Sequence, residues 1–131
     1  MKVAFTAARL LLGIIFLVFG LNGFFHFIPM PPPTGIALQF FAALYMSHYL
    51  AVIFLLQLGP AILLLVNRYV PLALTLLGPI VVNILFFHLL MAPGGLPLAV
   101  VVATLWSLTA YSVRSAFQGL FQRSNRIEQA A

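Results

Sequence analysis

The chain has 131 residues, 64% of them hydrophobic and 5% charged, and a formal net charge of +5; soluble domains average roughly 45–50% and 25%. No soluble fold of this size buries so much apolar surface, and the length suits one domain. The basic residues stand at the edges of apolar segments, which fits orientation signals and anionic lipid headgroups and lacks the basic stripe that nucleic-acid binding needs.

The first predicted helix covers residues 5–27. Lys2 and Arg9 precede its apolar run, as in a signal peptide, but no small-x-small cleavage pattern follows and an uncleaved span is expected. Pro29, Pro31, Pro32, Pro33 and Gly35 then forbid helix. Residues 36–67 are too many for one upright crossing of about 20 residues. They divide into a short helix, 36–47, lying at the interface or dipping into it, and a second span, 49–66; one long tilted helix is the alternative. Gln39, Tyr45, Ser47 and His48 give the short piece a semi-polar character. After the turn Asn67-Arg68-Tyr69-Val70, Pro71 opens a third span, 71–91. Ala92-Pro93-Gly94-Gly95 forms a hairpin, and Pro97 opens a fourth span, 97–113. The tail, 114–131, spaces Phe117, Leu120, Phe121 and Ile127 among Gln and Arg, and reads as an amphipathic helix on the membrane surface.

The expected fold is thus an all-α membrane protein, a bundle of four transmembrane helices with a short interfacial helix and an amphipathic C-terminal tail. Residues 10–67 and 69–113 carry no Lys, Arg, Asp or Glu, so each stretch holds two spans. With four spans, Lys2, Arg9, Arg68, Arg114, Arg123 and Arg126 all fall on one face. The positive-inside rule makes that face, and both termini, cytoplasmic.

Gly13 and Gly20, with Gly23 nearby, are spaced to let helices approach closely in lipid. Gly59-Pro60 and Gly78-Pro79 are expected to bend their helices and to act as packing positions or open a ligand crevice. Polar groups in hydrocarbon are expensive. At 1.5 Å per residue, Gln57 and Asn83 come out roughly 12 Å below the outer face, Ser107 roughly 15 Å and Asn22 roughly 8 Å, with Thr104 between. Every span would then supply a hydrogen-bonding side chain to the outer half of the bundle, as glue between helices or as a pocket for a ligand headgroup such as a quinone carbonyl.

His26, His48 and His88 are expected in the outer third, beside Tyr45, Tyr49 and the proline-rich loop. Three readings compete for them: interfacial residues touching water, proton exchange with a bound quinone, or weak candidates for a metal or haem site. No His-x₃-His pair supports the last, so three helices would have to converge. Asn22…His26 and Asn83…His88 echo each other on the first and third spans. The absence of cysteine excludes thiolate and Fe–S chemistry within this chain. The only carboxylate, Glu128, lies in the tail, which removes the embedded acid of proton-coupled transport and the carboxylates of hydrolytic metal sites. A channel is disfavoured by the sparse polar lining.

Arg9-Leu-Leu-Leu-Gly13-Ile-Ile-Phe16, followed by Phe19-Gly20-Leu-Asn22-Gly23, resembles the first helix of DoxX-like membrane proteins. Leu63-Leu-Leu-Val-Asn67-Arg68-Tyr69-Val-Pro71, then Pro79-Ile-Val-Val-Asn83-Ile-Leu-Phe-Phe-His88 and Ala92-Pro93-Gly94-Gly95-Leu-Pro97, resembles one subgroup of that family. The resemblance extends to about Leu120. It implies a four-helix bundle in a bacterial cytoplasmic membrane and a link to redox chemistry, since relatives are tied to thiosulfate oxidation with quinone as acceptor or to redox-defence proteins. Gln57 stands where many relatives carry Glu, which removes a proton-carrying group. The expected function is a redox-associated accessory subunit, or a binder of a quinone-like or lipidic ligand in the outer half, touched by Asn22, His26, His48, Gln57, Asn83, His88 and Ser107. The alternatives are a haem- or quinone-dependent oxidoreductase subunit using His26, His48 or His88, and a structural scaffold without ligand. The partners that fit are the bilayer, an apolar small molecule, and a second copy or redox subunit docked on the glycine face of the first helix or the basic tail.

Overall fold

The computed structural model describes residues 1–123, and no strand occurs among them. Five α-helices follow one another: α1 Lys2–Phe25, α2 Gly35–Met46, α3 Tyr49–Leu65, α4 Val70–Leu90 and α5 Leu96–Ser112. A 3-10 turn, Pro93–Gly95, joins α4 to α5. α1, α4 and the run Pro93–Ser112 are each long and apolar enough to cross a membrane. α2 and α3 together pass the same test but meet at 85° across Ser47 and His48, which excludes one long tilted helix over this region.

Helix ends follow local chemistry. α1 stops where His26 turns left-handed at φ 51°, and α3 starts at His48, left-handed at φ 62°. Asn67 and Tyr69 adopt the same conformation in the α3–α4 turn, at φ 55° and 52°. His and Asn enter this region more readily than most residues, so both histidines do backbone work that composition alone does not signal. Pro71 lies in the first turn of α4, where no intrahelical N–H is needed. The tail departs from expectation: Arg114–Phe121 is a 3-10 helix, not an α-helix. Phe117 packs on the core while Leu120 and Phe121 are exposed. Arg126, Ile127 and Glu128 lie outside the described residues.

α1 packs on α3 and α5, and α4 packs on the same two helices. A Cβ on Gly13 would lie 3.0 Å from Leu65, and one on Gly20 would lie 2.8 Å from Leu58. Gly23 faces the Phe54 ring, where a Cβ would come to 2.3 Å. α1 and α3 therefore run antiparallel along a seam that only glycine permits. Gly59 is different: nothing lies within 4 Å of the Cβ it lacks, so it is not a packing position. Gly78 would make only ordinary contact, 3.5 Å from Trp106. Both precede a proline inside a helix, and the ring of a proline clashes with a preceding Cβ in the α conformation. Their physical role is to let α3 and α4 continue through Pro60 and Pro79.

Two contacts bring the basic residues to one end. The Arg9 guanidinium donates to the Leu64 carbonyl at the C-terminus of α3, where a cation meets the negative end of the helix dipole. Phe5 and Tyr111 rings stand 6.1 Å apart, and Arg114 lies 4.3 Å over the Tyr111 ring. His26, His48 and His88 occupy the opposite end.

The core is shifted toward the basic end. Leu12, Phe16, Leu64, Leu74 and Leu77 are its largest members. Residues 49–56 of α3 and 82–90 of α4 include no buried residue. Only 17–28% of each long span is buried within the chain, so the exterior is apolar and requires a non-aqueous surrounding. Across the core, the Trp106 indole N–H donates to the Leu74 carbonyl at 3.0 Å, tying α5 to α4. Trp106→Phe keeps most of the ring and loses that bond, so thermal stability in detergent is expected to fall by about 0.6–1 kcal/mol. An unchanged melting curve, followed by light scattering, would remove the bond from the list of stabilising contacts.

Candidate functional site

Among the described residues, three polar side chains are buried: Asn22 at 7% exposure, Gln57 at 8% and Thr109 at 0%. Thr109 was not foreseen from the sequence; its hydroxyl donates to the Leu105 carbonyl at 2.8 Å, which quiets it as a local helix bond. Asn22 closes the end of α1. Its carbonyl accepts the His26 N–H at 2.8 Å and its Oδ1 accepts the Ile28 N–H at 2.7 Å, which fixes how the chain enters the proline-rich loop.

Gln57 has no such employment. Its amide makes no hydrogen bond to any described residue, yet no fully sealed side-chain N or O lacks a partner. The amide tip therefore keeps some accessible surface. One turn toward the basic end lies Ala61, at 0% exposure; toward the histidine end α3 has no buried residue. Gln57 thus stands on the floor of the loosely packed half, directly above the sealed core.

Asn83 and Ser107 do not join it. Both are exposed and point away from the packed interior. α4 turns Leu74, Leu77 and Val81 inward, and Asn83 lies two residues, about 200°, beyond Val81. On α5, Val102 and Thr109 take the inner face, and Ser107 turns out with Thr104. Each polar group bonds the carbonyl four residues back: Asn83 to Pro79 at 2.9 Å, Thr104 to Val100 and Ser107 to Ala103, both at 2.8 Å. The expectation that every span turns a hydrogen-bonding side chain into the outer half of the bundle is corrected to one unengaged amide on α3 and one terminal lock on α1, since Asn83 and Ser107 are exposed. The Asn…His echo breaks likewise, since Asn22 is buried and Asn83 is exposed.

The histidines share an end without forming a ligand set. No group of three His, Cys, Asp or Glu that could hold a metal ion occurs among the described residues. His26 and His48 are exposed. His88 is half-buried, with its Nδ1 3.0 Å from the Ala92 carbonyl. A Cβ on Gly95 would come within 2.1 Å of its ring, so His88 is clamped beneath the α4–α5 turn. The Phe87 ring stands 5.0 Å from the imidazole and 5.1 Å from Phe41 of α2. α2 therefore reaches from the α3 junction across to the end of α4.

Two of the concavities among the described residues bear on these side chains. A cleft of about 280 Å³ is lined by Gly23, Phe24, Tyr45, His48, Leu50 and Phe54 among others; it joins the end of α1 to the α2–α3 bend and reaches neither Asn22 nor Gln57. An open groove of about 530 Å³ runs along α5 past Thr104, Ser107 and Tyr111 to Leu85 of α4. Ser107 borders this outer groove, so it does not line the same space as Gln57.

The chain matches no protein-family model, and neither a curated protein nor a solved structure is significantly similar to it. What the fold defines is the class: an all-α protein with three helices long and apolar enough to cross a membrane, and a fourth crossing if the bent α2–α3 pair counts as one.

Proposed function

We propose that this chain is a four-span, DoxX-like bundle in a bacterial cytoplasmic membrane that holds a quinone-like or lipidic ligand in the half of the bundle bearing the histidines, as an accessory to redox chemistry carried by other proteins. Both termini and the basic end face the cytoplasm; α2 lies along the outer interface, held there by its 85° break from α3. One observation carries the ligand: Gln57 is 8% exposed, and its amide tip keeps accessible surface while making no hydrogen bond to any described residue. An amide held in apolar surroundings without a partner is unfavourable, and a carbonyl or hydroxyl of a bound molecule offsets that cost. The apolar side chains of α3 and α4 around it suit an isoprenoid or acyl tail.

Mass spectrometry of protein purified in mild detergent tests this directly. A small molecule with an apolar tail and a polar head is expected at near one-to-one amount, and it should be displaced by added short-chain quinone. Protein that carries only bulk lipid and takes up no quinone would end the proposal.

A further inference from the structure

α4 presents a second surface to the membrane, apolar except for a single amide. Leu72, Leu76, Pro79, Asn83, Phe86 and Leu90 alternate steps of four and three, and all are exposed. At 100° per residue they fall within an arc of about 80°. Asn83 lies inside that arc, roughly 10 Å along the helix from its end at Leu90. One amide proton is engaged by the Pro79 carbonyl at 2.9 Å; the other proton and Oδ1 have no partner among the described residues. Left facing acyl chains, such a group is costly.

We propose that this face packs against α4 of a second copy of the chain, with the two Asn83 amides hydrogen-bonding to each other across a two-fold axis normal to the membrane. An amide is donor and acceptor at once, so it complements itself. Copies inserted with the same orientation bring their α4 helices together in parallel, which sets Asn83 opposite Asn83 at one depth. The four-and-three spacing is that of a left-handed helix pair, in which one polar residue in an apolar seam fixes register. Other outward faces offer less. Thr104 and Ser107 on α5 have already donated their hydroxyl protons to their own helix. The Gly13–Gly20 seam of α1, a natural place for a partner by sequence, is filled by α3.

The native chain has no cysteine, so single-cysteine variants report contacts cleanly. In membrane vesicles under mild oxidation, Leu76→Cys and Phe86→Cys are expected to give disulfide-linked dimers. Leu11→Cys on α1 and Val101→Cys on α5, at comparable exposures of 50% and 49%, are expected not to. Adding Asn83→Leu should weaken dimerisation by roughly 3- to 30-fold, the range for one hydrogen bond between membrane helices, and Asn83→Gln should retain it. Equal linking at all four positions, none at α4, or links only to a different protein would overturn the proposal. So would a dimer unaffected by Asn83→Leu. Should that variant fail to fold, the cysteine pattern with Asn83 intact decides alone.

Discussion

Gln57→Leu is expected to strip the protein of its ligand and, measured on ligand-free protein, to make the bundle more stable. Gln57 is 8% exposed, and its amide tip keeps accessible surface but makes no hydrogen bond to any described residue, so the substitution removes an amide without a protein partner and adds a hydrocarbon of similar volume. A gain in the ligand-free state is expected, bounded above by the penalty of about 1–3 kcal/mol for a fully buried unpaired polar group. An amide serving as glue between helices would give the opposite sign, because its loss would orphan a partner. The comparison must use stripped protein, since a ligand bound only to the native state raises the melting temperature by mass action. Gained stability with lost ligand is the signature of a residue kept for binding. Lost stability with the ligand retained would return Gln57 to a structural role.

The second large effect falls on the α1–α3 seam. Gly20→Leu places a branched side chain where even a Cβ would sit 2.8 Å from Leu58 and 3.6 Å from the Phe54 carbonyl. Overpacking of this kind costs about 1–3 kcal/mol or more, and here the helices must separate to relieve it. The variant is expected to aggregate or elute early in size-exclusion chromatography. Pairing it with Leu58→Ala should recover part of the loss, because the two substitutions share one space and are not additive. The neighbouring Leu11→Val, on the exposed side of α1, should leave elution and melting unchanged. If Gly20→Leu behaved like Leu11→Val, the seam would not be a close contact.

The placement of the helices was legible because prolines and charges punctuate the chain. Each long apolar run ends at Pro29–Pro33, at Arg68 or at Pro93, and the observed helices begin and end within three residues of those expected. Position along each helix was legible too, since it needs only counting. Azimuth was not. In water a helix has one apolar face; in a membrane both faces are apolar, so nothing in the pattern around Asn83 or Ser107 says which way each points. Packing partners decide that, and they turned both residues outward. The left-handed turns at His26 and His48 were hidden for another reason: imidazoles invite a chemical reading, while their observed work is to end α1 and to break α2 from α3. Gly13 and Gly20 were recognisable as small-residue contacts, but sequence could not say whether the partner was another helix of this chain or another copy. Gly59 carried the same signal without the contact, because a glycine before a proline has a backbone reason to be there.

The uneven placement of the core has a mechanical consequence. Side chains sealed from their surroundings are concentrated toward the end that carries Arg9 and Arg68, while α3 and α4 contribute no buried residue toward the histidine end. Inserted in a bilayer, such a molecule would be stiffer between α3 and α4 at the basic end than at the histidine end. Acyl-chain length, unsaturation and lateral pressure at the histidine end would then act on how far α3 and α4 stand apart, more than the same changes at the basic end.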